Sequence, residues 1–208
     1  MSMVMRAHPV DTRHAPVVSW RWKVLAAPPG ADNAVAARED SAARLLFAFD
    51  GDRSKLAWTD RTAMKLARSL SGREMPYATL MYVASDAAPV GTIVPNPHSS
   101  RVMMLVASPA AGALGRWQPL SRDLRLDFRD AFGEAPGRFF AWGVMTDSDN
   151  TGTEALARYG DVAFATDPGH GRAVAAAGRR VPCAGRRGRP GPAQRDYSDG
   201  QAPPTATA

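Results

Sequence analysis

Hydrophobic and polar residues alternate with a period of two along much of the chain. Val18, Trp20, Trp22 and Val24 fall on one side of an extended segment, and Ser19, Arg21 and Lys23 fall on the other. That is the pattern of a strand with one buried face. Leu45, Phe47 and Phe49 repeat it within residues 43–49, which stop at the turn sequence Asp50-Gly51-Asp52. Residues 79–83, 101–107, 123–128, 139–145 and 158–164 read as further strands, about seven in all. Between them lie turn residues, among them Gly30, Gly91, Pro95-Asn96-Pro97, Gly115 and Pro136-Gly137. Strands joined by turns rather than by helices predict antiparallel pairing.

One segment changes period. Ala63, Leu66, Ala67 and Leu70 recur at i, i+3, i+4 and i+7, opposite Arg61, Lys65 and Arg68. A single short helix is therefore predicted near residues 60–71, capped by Thr59 or Asp60 and ended by Gly72. A further helical turn over 127–132, before Gly133, is compatible with the pattern.

Composition adds boundaries. The chain has 208 residues, 45% of them apolar and 22% charged, which suits one globular domain. No apolar run is long enough to span a bilayer, and the lone Cys183 cannot close an internal disulfide. The net charge of +6 is concentrated at the C-terminal end, where residues 171–208 carry seven arginines against Asp196 and Asp199. That stretch is rich in Gly and Pro and lacks Leu, Ile, Phe, Met and Trp, so it offers nothing to offset the entropy of ordering. The expected organisation is a disordered N-terminal extension over 1–16, one β domain over 17–166 and a disordered Arg/Gly/Pro/Ala-rich tail over 167–208. The tail could attach to nucleic acid, or could be a gene-end sequence read out of frame.

The richest chemistry lies in Met145-Thr146-Asp147-Ser148-Asp149-Asn150-Thr151-Gly152. Its hard oxygen donors suit Ca²⁺, with Asp147 and Asp149 as ligands, but Arg158 stands where an EF-hand needs a bidentate Glu, so that motif is excluded. A turn held by Asp and Asn side chains is the simpler reading. The four histidines have no zinc-like spacing, and no G-x-S-x-G, P-loop or G-x-G-x-x-G is present. Most aromatics fall on core faces of strands. Trp58 and Trp117 border polar, turn-like stretches and Tyr82 carries a hydroxyl, so these three are the candidates for stacking on a sugar.

Six motifs stand in a familiar order: Trp20-Arg-Trp-Lys-Val, Ala43 to Asp52, Pro76 to Tyr82, Val94-Pro-Asn-Pro-His98, Asp130 to Glu134 and Met145 to Gly152, followed by Tyr159-Gly-Asp161. Together they resemble the bacterial family called domain of unknown function 3047, over about residues 17–164. The resemblance implies a jelly-roll β-sandwich similar to carbohydrate-binding modules, and it brings no catalytic residues. It also implies that N-terminal strands are missing here. It suggests the cell envelope or periplasm, whereas the N-terminus as written has no export signal and would leave the chain in the cytoplasm.

The leading expectation is thus a non-catalytic antiparallel β-sandwich that binds a glycan or other envelope polymer. Asp147, Asp149, Asn150, Trp117 and Tyr82 would contact the ligand, with no cofactor other than Ca²⁺. The alternatives are a glycan-processing enzyme built on a carboxylate pair and attachment to nucleic acid through the tail.

Overall fold

Nine strands and two α-helices make up the residues that the computed structural model describes, which are 1–10, 12–72 and 74–166. In chain order they are β1 (Ser2–Val10), β2 (Val17–Ala26), β3 (Ser41–Phe49), α1 (Trp58–Ser71), β4 (Ala78–Ala84), β5 (Ile93–Pro95), β6 (Val102–Ser108), β7 (Gln118–Asp123), α2 (Leu124–Phe132), β8 (Phe139–Asp147) and β9 (Leu156–Ala165). The strands form a six-stranded sheet, ordered β1-β8-β3-β4-β6-β5, and a three-stranded sheet, ordered β7-β2-β9. All pairs are antiparallel except β4 with β6, which run parallel. The connection between those two strands contains β5, so it is long enough to return the chain to the end where β4 began.

The core lies between the sheets, and the alternation places it there. Val18, Trp20, Trp22 and Val24 of β2 meet Leu45, Phe47 and Phe49 of β3, Leu80 and Tyr82 of β4, and Phe139 of β8. Trp20 packs edge-on to Trp22 and lies tilted against Tyr82, with ring centroids 5.5 and 4.9 Å away. Aromatic side chains each bury about 150–250 Å², so this cluster supplies much of the hydrophobic driving force. β3 is buried on both faces, as the middle of a large sheet should be. A smaller cluster of Val83, Val94, Met104 and Val106 covers the outer face of the six-stranded sheet.

Four expectations are corrected. Residues 2–10, read as a disordered extension, form β1, which pairs with β8 from Ser2↔Thr146 to Val10↔Phe139. Gly143 is what admits it, because a Cβ there would stand 2.3 Å from the Met5 sulfur. Of residues 123–128, read as a strand, only Asp123 belongs to one, the end of β7, and Leu124 onward is the start of α2. Asp123 caps it, accepting from the amides of Arg125 and Leu126, and Gly133 ends it in a left-handed conformation. Among the described side chains of α1 the buried one is Met64, while Leu66, assigned to the apolar face, is exposed. Antiparallel pairing fails at the one pair β4–β6. The predicted tail over 167–208 lies outside the described residues.

Candidate functional site

The register gathers four connections at one end of the sandwich. Pairings such as Ser41↔Asp147, Ala84↔Ser108, Ala26↔Leu156 and Trp22↔Gln118 bring residues 27–40, 85–92, 109–117 and 148–155 together. Two clefts open there, one on each side of the 3-10 turn Ala111–Ala113.

The first, of about 390 Å³, is lined by small residues together with Asp40, Ser41, Ser85 and Asp86. Both carboxylates are committed. Asp86 accepts from the backbone amides of Ala110 and Ala111 at 3.1 and 2.7 Å. Asp40 accepts from the amides of Thr151 and Asn150 at 2.7 and 3.3 Å. Burial works against the charged form of Asp40, but the Thr151 hydroxyl, these two amides and Arg44 outweigh it and hold the carboxyl below its ordinary range.

The acidic loop predicted as a ligand or metal site folds back on this arrangement. Asp147 is buried, with Arg44 at 3.8 Å, and it accepts from the Asp149 amide at 3.3 Å. Arg44 is itself buried, bonded to the Glu39 carboxylate at 2.6 Å and to the Glu39 carbonyl at 2.8 Å. The Asn150 side-chain amide donates to the Glu39 carbonyl at 3.2 Å. Asp149 stays exposed and pairs with the N-terminal ammonium of Met1. Their bonds within the protein are therefore those of a braced turn, and among the described residues no group of three or more His, Cys, Asp or Glu is arranged to hold a metal.

The second cleft is an open groove of about 480 Å³ whose wall includes Arg116, Trp117, Gln118 and Leu120. Trp117 is 41% exposed, and the Arg21 guanidinium lies 4.7 Å from its ring centroid. Arg21 is fixed in turn by Asp161 at 2.5 Å. Asp161 sits where the β2–β9 register slips between Ser19 and Arg21, and it has a φ of 56°, the only positive value among the described non-glycine residues. A bulge with a left-handed residue re-aims a side chain at some conformational cost. Here it points a carboxylate at the cation that braces an exposed indole. Gly160 precedes it, and a Cβ there would come within 3.3 Å of Arg21 Nε. Sequence reasoning found Trp117 but missed Arg21 and Asp161, which come together only through strand pairing; a Gly-Asp pair inside a strand pattern was the available signal.

Tyr82 is no part of this surface. It is fully buried, and its hydroxyl donates to Asp127 Oδ2 at 2.7 Å, where Arg122 Nε also donates at 2.8 Å. Burial and the Asp127 charge push its phenol well above the ordinary tyrosine range. Trp58 lies on α1, the connection from β3 to β4, at the opposite end of the sandwich.

A model of the family described as protein of unknown function (DUF3047) matches residues 1–163. No curated protein matches the chain.

Proposed function

The chain belongs to the DUF3047 family of proteins of unknown function, and on that premise we propose that it is a non-catalytic binding protein whose Trp117 groove takes a sugar ring of a glycan or other envelope polymer. The observation that carries this reading is the brace behind Trp117. A left-handed Asp161, an ion pair and a stacked Arg21 together position an indole that remains accessible. An aromatic face offers a flat apolar platform, and the neighbouring Arg116 and Gln118 supply donors and an acceptor for hydroxyl groups.

A hydrolytic role finds less support. The groove wall carries no carboxylate, whereas glycosidic cleavage ordinarily uses two. The other cleft has two, Asp40 and Asp86, but a general acid needs a raised pKa and Asp40 is held low.

The test is calorimetric titration of the full chain with neutral and acidic oligosaccharides, beside Trp117→Ala. One class should bind, and the variant should weaken it about tenfold or more, equivalent to about 1.4 kcal/mol. Silence across the panel, or unchanged affinity in Trp117→Ala, refutes the reading.

A further inference from the structure

At the opposite end of the sandwich, α1 is strangely bare. Among its residues with described side chains only Met64 is buried, reaching into the core cluster between the sheets. Trp58 is 71% exposed and Leu66 60% exposed. At about 100° per residue, Trp58, Thr62, Lys65, Leu66 and Ser69 share the face away from Met64, whereas Arg61 and Arg68 flank Met64 itself, with Arg61 the nearer of the two to Trp58. A helix normally keeps its large apolar groups on the side that holds it to the core; here Trp58 and Leu66 turn outward.

The charges beside them are unequal. Arg53 and Arg68 share Glu74, at 3.8 and 2.6 Å. Asp60 is occupied with the Ser100 hydroxyl at 2.6 Å. Arg61 and Lys65 have no ion-pair partner among the described residues. Together with Arg53 and Arg68 they surround a cleft of about 230 Å³ on the flank of the helix.

We propose that the outer face of α1 docks on an anionic lipid bilayer, with Trp58 and Leu66 in the interfacial layer and Arg61 and Lys65 on lipid phosphates. The exposed apolar pair selects a bilayer over a soluble polyanion. A polyanion in water satisfies the cations but leaves Leu66 exposed, whereas a bilayer surface takes an indole, a leucine and a lysine stem together. The helix has 14 residues, about 21 Å, long enough to lie flat and too short to span. The inference is independent of the Trp117 groove, which lies at the other end of the sandwich.

The experiment uses the full chain with vesicles of phosphatidylcholine, with and without phosphatidylglycerol, in about 0.1 M salt where long-range attraction is screened. Partition is read by co-sedimentation, and depth by quenching of tryptophan fluorescence with brominated acyl chains. Quenching is expected with anionic vesicles only, and Trp58→Phe should remove it. Arg61→Glu/Lys65→Glu should lower partition about tenfold or more, while circular dichroism stays unchanged. The basic tail is present in every variant, so its contribution is constant. Absence of quenching overturns the proposal, as does equal partition onto neutral vesicles or wild-type partition by the charge-reversed variant. A charge-reversal effect confined to a soluble acidic polysaccharide also overturns it, and then points to a polymer site.

Discussion

Replacing Arg44 by Met tests how the loop end is held together. The guanidinium, the Glu39 carboxylate and the Asp147 carboxylate are each less than a tenth exposed, and Arg44 is the cation between the two acids. Met keeps the length and apolar bulk of the stem, so little cavity opens. What remains is two buried carboxylates without their counter-charge. Breaking a buried pair by removing one partner costs about 3–5 kcal/mol, most of it the penalty of the stranded charge. A domain of this size shifts its Tm by roughly 2–4 °C per kcal/mol, so Arg44→Met should melt about 6–20 °C lower. The triple variant Arg44→Met/Glu39→Gln/Asp147→Asn removes charge from all three positions and should recover about half of that loss or more, since neutral groups cost far less to bury. Differential scanning calorimetry reads both. A single variant within about 3 °C of wild type, or a triple variant no better than the single, would show that these groups are effectively solvated and the reasoning wrong.

Gly143→Val should displace β1, because the added Cβ meets the Met5 sulfur at 2.3 Å and the Val4 carbonyl at 2.5 Å. Hydrogen exchange should accelerate in residues 3–7 while β3 and β4 keep their protection, at a cost of about 1–3 kcal/mol. Asp40 has a depressed folded-state pKa, so its stabilisation is complete above the unfolded aspartate value near 3.9 and is lost as pH falls through the lower folded value. The stability gap between wild type and Asp40→Asn should therefore be widest at neutral pH and close in acid, as chemical denaturation at a series of pH values would show. Tyr82→Phe should cost about 1 kcal/mol, since Asp127 keeps Arg122 as its partner, and it should remove one phenol that ionises only when alkali opens the fold. An ultraviolet titration unchanged by the substitution would contradict that assignment.

The central strands were legible because burial on one face imposes a period of two, as in Val18 to Val24 and in Leu45 to Phe49. The elements that escaped do not obey that constraint. β1 is an edge strand with Met3, Val4 and Met5 all exposed, so its pattern records no interior. β5 and β7 are short edge strands with little to bury. α2 misled because Leu124, Leu126 and Phe128 alternate like a strand, yet the residues it buries are Leu124, Asp127 and Phe128, a helical spacing that includes a charge. Asp127 is tolerable inside because it meets Tyr82 and Arg122, which a one-dimensional pattern cannot reveal. The candidate site was legible to the same extent: Trp117 stood out as an aromatic beside turns, while the residues that brace it lie far along the chain in two other strands.

The same strand order sets a timetable for synthesis. β2 is the middle strand of the smaller sheet, and Val17 pairs with both Asp123 and Ala165. β1 waits for β8 in the same way. At about 5–20 residues per second, the two core tryptophans of β2 leave the ribosome on the order of ten seconds before their last partner strand exists. Pairing across such separations carries a large loop-closure cost, so β3, β4 and β6 can associate first while the first-made strands join last. Until β7 is made the nascent chain therefore displays the Trp20 and Trp22 strand without a sheet partner, and until β9 follows it has only one, which makes it a client for holding chaperones and makes completion of β9 the event that commits the domain to fold.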